Sequence, residues 1–392
     1  MKRPQHGGNL AWAAALAGCP PDLLLDFSAS INPLGPPASA LDAIQASLGQ
    51  LRHYPDPSYA TLRQTLGAVH QLPSEWILPG NGSAELLTWV CRELAQLDGV
   101  EVWTPAFGDY GRALRAFGAQ VVPQRLASLE PAPLAPQFWG QPEDGTSLTP
   151  GCGDDSNAAP LAPQFWGEPE RRKAAQGVLL NNPHNPTGQL FSVASLLPLL
   201  EQYALVVVDE AFMDFLPPAQ QQSLILWVQR YPNLVILRSL TKFYSLPGLR
   251  LGYAVAHPER LERWQQWRDP WSVNGLAEPV TVAMLADSGF QQRTWDWLGG
   301  ARSHLFRGLA QIPGLHPRLG AANFLLVHSD YSVTQLQTQL LQQHRILIRD
   351  CLSFPELGDD YFRVAVRTEA ENQKLLEGLA AVSATLGTPY QE

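Results

Sequence analysis

Short apolar runs that alternate with longer helical patterns constrain this chain more than any other feature. The runs Gly99–Trp103, Gln120–Pro123, Gly177–Leu180, Ala204–Asp209 and Leu234–Arg238 are rich in Val, Leu and Ile, and Leu251–Ala256 extends the series. Most lack the polar alternation of a half-solvated strand, so both faces need covers, and the intervening helical stretches supply them. This predicts an α/β fold with a mostly parallel sheet. The stretches Ser39–Leu51, Ser58–Leu72 and Ala84–Leu97 read as helices, and Leu62, Leu66 and Val69 show the helical spacing in the second. Beyond about residue 258 long helical patterns rich in Gln and Trp appear, with two late strands, Asn323–His328 and Tyr361–Val366. The expected division is an N-terminal arm over 1–36 that packs with the small domain, a large domain over 37–258, and a smaller α+β domain over 259–392.

Composition excludes several classes of function. Across 392 residues, 27 basic and 36 acidic side chains give a net charge of −9. With no basic block, nucleic acid is a poor partner. No run reaches the roughly 18 apolar residues that a spanning helix needs, so no membrane partner is expected. Cys19, Cys91, Cys152 and Cys351 lie far apart with no CxxC pair. That argues against a zinc ribbon or a disulfide framework, suits the cytoplasm, and leaves no metal expected at the site. Leu16–Cys19 resembles a lipoprotein cleavage box, but its apolar run, Leu10 to Ala17, is only 8 residues long. The stretch reads better as a helix start after the turn Gly7-Gly8.

One segment differs in composition from the rest. Leu134–Glu143 recurs 27 residues later as Leu161–Glu170 with one change, Gln141 to Glu168. A single tandem copy makes no solenoid. The segment reads as a duplicated, poorly ordered surface insertion over about 125–175; the other reading is a partner-binding loop that uses Phe138, Trp139, Phe165 and Trp166.

Four motifs occur in a telling order. Gly80-Asn81-Gly82-Ser83-Ala84-Glu85 breaks a strand into a helix, where backbone N–H groups attract anions. Asn181-Asn182-Pro183-His184-Asn185-Pro186-Thr187-Gly188 follows a buried strand, and its prolines can fix an amide at the sheet's binding edge. In Val206–Phe212, Asp209 ends an apolar strand, where an unpaired carboxylate would be costly, so a cationic partner is expected. Ser239-Leu240-Thr241-Lys242 places a lysine among hydroxyls at the end of another strand, with Arg250 eight residues on. A desolvated lysine has a lowered pKa and can form a Schiff base with a carbonyl cofactor. Taken together these parts suit pyridoxal 5′-phosphate (PLP): an amine for the aldehyde, an anion for the ring nitrogen, an amide for the phenolic oxygen and a cradle for the phosphate.

On these motifs the chain resembles the fold-type I PLP enzymes of the histidinol-phosphate aminotransferase group, through nearly its whole length outside the insertion. Within that group, His6–Asn9, Asp26–Pro36 and Ile348–Phe354 are most similar to the L-threonine-O-3-phosphate decarboxylases of cobalamin biosynthesis. The resemblance implies that Lys242 holds the aldehyde, Asp209 faces the ring nitrogen and Asn185 the phenolic oxygen. It implies that Phe107 stacks on the ring, and that Gly82, Ser83, Ala84, Ser239, Thr241 and Arg250 hold the phosphate. Phe212 stands where the group often has Tyr, removing a second donor to the phenolic oxygen. Tyr54 matches a residue that reaches the phosphate of a neighbouring subunit, which implies a homodimer with shared sites. Arg363 matches the arginine for an α-carboxylate, and Arg349, Arg367, His6 and Asn32 are candidates for a substrate phosphate. A spacing of four along one strand would put Arg363 and Arg367 on the same face.

The implied substrate is a small phosphorylated amino acid. The leading expectation is decarboxylation of L-threonine O-3-phosphate to the phosphate ester of 1-amino-2-propanol, and the rival is aminotransfer with 2-oxoglutarate. The bond held perpendicular to the cofactor ring is the one that breaks, and the arginines set that angle. A regulator without turnover would usually carry a helix-turn-helix segment, and none is evident. A scaffold using the repeated Phe-Trp loop is a further rival.

Overall fold

A computed structural model describes residues 3–4, 6–126 and 176–386. The duplicated segment, with Cys152, Phe138, Trp139, Phe165 and Trp166, lies outside the described residues. The strands are β1 (Leu25–Asp26), β2 (Ile77–Asn81), β3 (Gly99–Thr104), β4 (Val121–Arg125), β5 (Gln176–Asn181), β6 (Leu205–Asp209), β7 (Leu234–Ser239), β8 (Leu251–Ala256), β9 (Leu315–Pro317), β10 (Phe324–Ser329), β11 (Ile346–Leu347), β12 (Arg349–Asp350) and β13 (Tyr361–Ala365). The helices are α1 (Leu10–Ala17), α2 (Ala38–Ser47), α3 (Ala60–His70), α4 (Ser83–Leu94), α5 (Gly108–Ala116), α6 (Val193–Gln202), α7 (Leu240–Phe243), α8 (Pro258–Trp267), α9 (Ala277–Ala286), α10 (Ser288–Ala310), α11 (Val333–Gln339) and α12 (Glu369–Leu386).

The large sheet has the order β2-β8-β7-β6-β5-β3-β4. Its neighbours run parallel from β7 to β4, and β8 is antiparallel to both β2 and β7. The α/β class with a mostly parallel sheet is what the apolar runs predict. The two-residue period of the strands divides the core into two layers. Leu179, Val207 and Leu237 pack with Leu86 and Val90 of α4 and Trp264 of α8. Leu180, Val208 and Ile236 pack on the other face with Leu196 and Leu199 of α6. β4 departs from the expectation of a buried strand, because it is the edge of the sheet and all its residues are exposed.

Across the ends of β6 and β7, Arg238 is only 1% exposed and bonds Glu210 at 2.9 Å and Asp214 at 2.6 Å. Buried charges survive when they are paired in this way. The network fixes the segments on which Asp209 and Ser239 sit.

A second, four-stranded antiparallel sheet has the order β12-β13-β10-β9, with Arg349 directly opposite Arg363. The N-terminal β1 pairs in parallel with β11. Residues of the lipoprotein-like box form α1 and its left-handed cap Gly18, and Ala13 packs with Leu341 and Leu347. α9 packs against α2 and α3. Among the described residues no helix is long and apolar enough to cross a membrane.

Candidate active site

The parallel strands β5, β6 and β7 end at one edge, with Asn181 in register with Asp209. At that edge lies a cavity of about 310 Å³. Lys242 enters it from α7, one turn beyond β7, with Nζ 3.5 Å from Ser239 Oγ and 4.9 Å from the centre of the Phe212 ring. Burial lowers the Lys242 pKa and outweighs the opposing effect of the Asp209 carboxylate, while Arg363 and Arg250 lower it further. Burial also raises the pKa of Asp209, against Lys242, Tyr110 and a backbone donor.

Asp209 is held from two sides. Its Oδ1 accepts from the Ala211 N–H at 3.0 Å, and its Oδ2 accepts from the Tyr110 hydroxyl at 2.9 Å. Tyr110 is 1% exposed and its ring meets Phe107 edge-on at 5.6 Å. Sequence reasoning did not single out Tyr110. The available signal is its place three residues after Phe107, about one turn into α5. A donor to an ionised group strengthens the anion. In Tyr110→Phe, activity that depends on ionised Asp209 is expected to fall about tenfold. Because the lost donor lets the Asp209 pKa rise further, the acid limb of the pH–rate profile moves to higher pH. A pH–rate profile and a cofactor absorbance titration check both effects, and an unmoved acid limb would refute the role.

At the other end of the cavity α4 begins at Ser83, with Gly82 as a cap that offers no side chain. Gly82 has φ +77°, and a Cβ there would lie 2.4 Å from Arg250 Nη2. Ser83, Ala84, Ser239, Thr241 and Arg250 all line the cavity, and Ser239 and Thr241 share a hydrogen bond of 2.9 Å. Hydroxyls, a helix start and a guanidinium make a donor set for a dianion. Gly82→Ala is expected to push Arg250 aside and weaken retention of a phosphate-bearing cofactor about tenfold or more. Equilibrium titration with the cofactor measures this, and unchanged affinity would show that Arg250 adapts.

The opposite wall is cationic. Arg363 donates to Asn185 Oδ1, reaches Ser28 O at 3.5 Å and sits 4.7 Å from the centre of the Phe324 ring. Arginine can only donate, so the Asn185 carbonyl must face it and the amide N–H groups are turned elsewhere. Burial, with Arg349 nearby, pushes the Arg363 pKa down to about 10. Arg349 is 7% exposed, lines the cavity and donates to Ser353 Oγ at 2.6 Å. Behind Asn185, buried His184 is held neutral by desolvation, with a pKa lowered to about 3, and bonds Thr187 Oγ1 at 2.8 Å.

His6 and Phe107 also line the cavity, with ring centres 6.0 Å apart. The remaining expected residues do not. Asn32 is 2% exposed, and its amide donates to Phe243 O and Thr294 Oγ1 while its carbonyl accepts from Leu34 N–H. Its polar atoms join the arm to α7 and α10 in this structure. Arg367 lies two residues beyond the end of β13 at Ala365 and does not line the cavity. It pairs instead with Glu371 at 2.7 Å and donates to Asp26 O at 3.2 Å. Tyr54 is 80% exposed and its ring lies 4.6 Å from that of Trp271, away from this chain's own cavity.

The family model for aminotransferase class I and II matches residues 161–379. Threonine-phosphate decarboxylase of Salmonella typhimurium is 39% identical over 386 residues, covering 96% of this chain and 96% of that protein. Histidinol-phosphate aminotransferase of Symbiobacterium thermophilum is 33% identical, covering 91% of this chain and 90% of that one. Among solved structures, histidinol-phosphate aminotransferase of Sinorhizobium meliloti, in complex with pyridoxal-5′-phosphate, has a TM-score of 0.78 at 21% identity, with 97% and 95% of the two chains covered. That likeness shows the fold.

Proposed function

We propose, from the premise that this chain belongs to the class I and II aminotransferase family, that it is a PLP-dependent decarboxylase of L-threonine O-3-phosphate. The products are carbon dioxide and the phosphate ester of (R)-1-amino-2-propanol, used as the linker of the cobalamin nucleotide loop. One observation carries the substrate class: Arg349 and Arg363 are opposite one another on β12 and β13 and both line the cavity that holds Lys242. Two guanidiniums on one wall suit a molecule with two anionic groups, here a carboxylate and a phosphate.

The cofactor is pyridoxal 5′-phosphate, and the donor set fits it. The test is local: a Cβ on Gly82 would fill space against Arg250, and the start of α4 lacks a capping side chain. Lys242 would hold the aldehyde carbon, Asp209 the ring nitrogen, Asn185 the phenolic oxygen and Phe107 the ring face. Ser83, Ala84, Ser239, Thr241 and Arg250, around Gly82, would hold the phosphate. When bound, PLP supplies an electrophilic carbon and a ring that accepts an electron pair released at the substrate's α-carbon. The residues do the rest. Arg363 takes the carboxylate and fixes its angle, Arg349 and His6 take the substrate phosphate, and the lowered pKa of Lys242 suits its Nζ to carry a proton to the α-carbon.

The same proposal takes residues 37–258 as the cofactor-holding unit and 259–392 as the smaller one, with 1–36 as an arm. The pairing of β1 with β11 supports the arm's place. It also takes the protein as a cytoplasmic homodimer in which Tyr54 reaches the neighbour's phosphate. The exposure of the Tyr54–Trp271 pair supports that contact.

The alternative is an aminotransferase acting on histidinol phosphate with 2-oxoglutarate, since the two arginines also suit that dicarboxylate. A product assay on threonine phosphate and histidinol phosphate side by side separates the readings. Carbon dioxide release from threonine phosphate without a keto acid is the expected result. Strict dependence on 2-oxoglutarate would sink the decarboxylase reading.

A further inference from the structure

The geometry points to a transition-metal site on the small sheet, formed by His316, His328 and Asp330. Two features of strand geometry bring these residues together. His316 on β9 is directly opposite His328 on β10, so both side chains leave the same face. Asp330 lies two residues beyond His328, and its N–H bonds Gly314 O at 2.9 Å, which extends the ladder and keeps its carboxylate on that face. Among the described residues, this is the group of His, Cys, Asp and Glu whose donor atoms all lie within 4.8 Å of one another. None of the three lines the cavity of Lys242.

The donor atoms converge more than an ordinary ion pair requires. Both Asp330 oxygens are 3.1 Å from His316 Nε2. An imidazole N–H shared between two carboxylate oxygens makes an ordinary ion pair; what exceeds one is the third donor, since the ligand atoms of all three residues lie within 4.8 Å of one another. His328 Nδ1 lies 3.7 Å from Asp330 Oδ1, too far for a good hydrogen bond, yet turned to the same space. The imidazole centres are 5.5 Å apart with planes inclined by 30°, and Tyr361 meets His328 edge-on at 5.0 Å. Two imidazole nitrogens and one carboxylate are a donor set for Zn²⁺, Ni²⁺ or Cu²⁺ rather than for Mg²⁺ or Ca²⁺. His316 is 58% exposed at its side chain, so water can complete the coordination. An ion here would clip β9 to β10, as a surface site separate from the reaction.

Calorimetric titration of the holoenzyme with Zn²⁺ tests the site. The expected result is a binding event that His316→Gln, His328→Gln and Asp330→Asn each weaken at least about tenfold, with turnover retained. A titration that all three substitutions leave unchanged would overturn the proposal. A second measurement needs no variant. Substoichiometric Cu²⁺ added to the unmodified holoenzyme is expected to show paramagnetic-resonance coupling to imidazole nitrogens, and a spectrum with oxygen ligands only would overturn it.

Discussion

Replacing Lys242 with alanine is expected to abolish turnover, with a loss of at least about 10⁴-fold. The figure is the upper end of what a positioned acid or base contributes, and here the same amine also anchors the cofactor. The visible absorbance of the cofactor-bound enzyme should change as well, and the cofactor should be lost on dialysis. The physical basis is the position of the amine, beyond the end of β7 and beside Ser239, where burial lowers its pKa. No neighbouring amine can substitute, since the other basic side chains lining the cavity are Arg250, Arg349, Arg363 and His6, none of which carries a primary amine. Normal turnover with unchanged absorbance in Lys242→Ala would refute the assignment of the amine.

Arg363→Ala carries the second large effect. Truncating one partner of a buried charged pair costs about 2–5 kcal/mol, so kcat/KM for threonine phosphate is expected to fall by about 30-fold to 5,000-fold. The side chain does two things at once. It presents a guanidinium to the cavity, and it holds the Asn185 carbonyl so that the amide donors are turned elsewhere. Removing it should therefore also perturb the cofactor's absorbance, which a residue that only binds carboxylate would leave alone. Arg349→Ala provides the contrast: it should weaken phosphorylated substrate far more than free threonine, with the cofactor spectrum unchanged. Equal losses for both substrates in Arg349→Ala would refute its phosphate role. Lys in place of Arg363 should rescue poorly, because a point charge does not reproduce the planar fork.

Much of this site was legible in the chain because its members sit at strand ends. An acid after Val206-Val207-Val208, or a lysine after Leu234–Ser239, is costly unless something at the sheet edge uses it, and that cost can be read from local order alone. Tyr110 was not legible. Its partner Asp209 is 99 residues away, and an aromatic residue in a helix reads as core. The partners that Asn32 and Arg367 bond within the chain were not legible for a related reason. Residue type says that a side chain can bind a phosphate, but Thr294 and Glu371 decide where the donors go.

The sequence by itself determined the fold class and the order in which a lysine, an acid, an amide and an anion cradle arrive at one sheet edge. Apolar periodicity and strand-end placement are local properties, set by the few residues on either side. Only the tertiary structure decided which arginines face the lysine, which hydroxyl holds Asp209, and that His316 meets His328. Those pairings depend on register between strands and on contacts between segments far apart in the chain, and a linear pattern of residues carries neither.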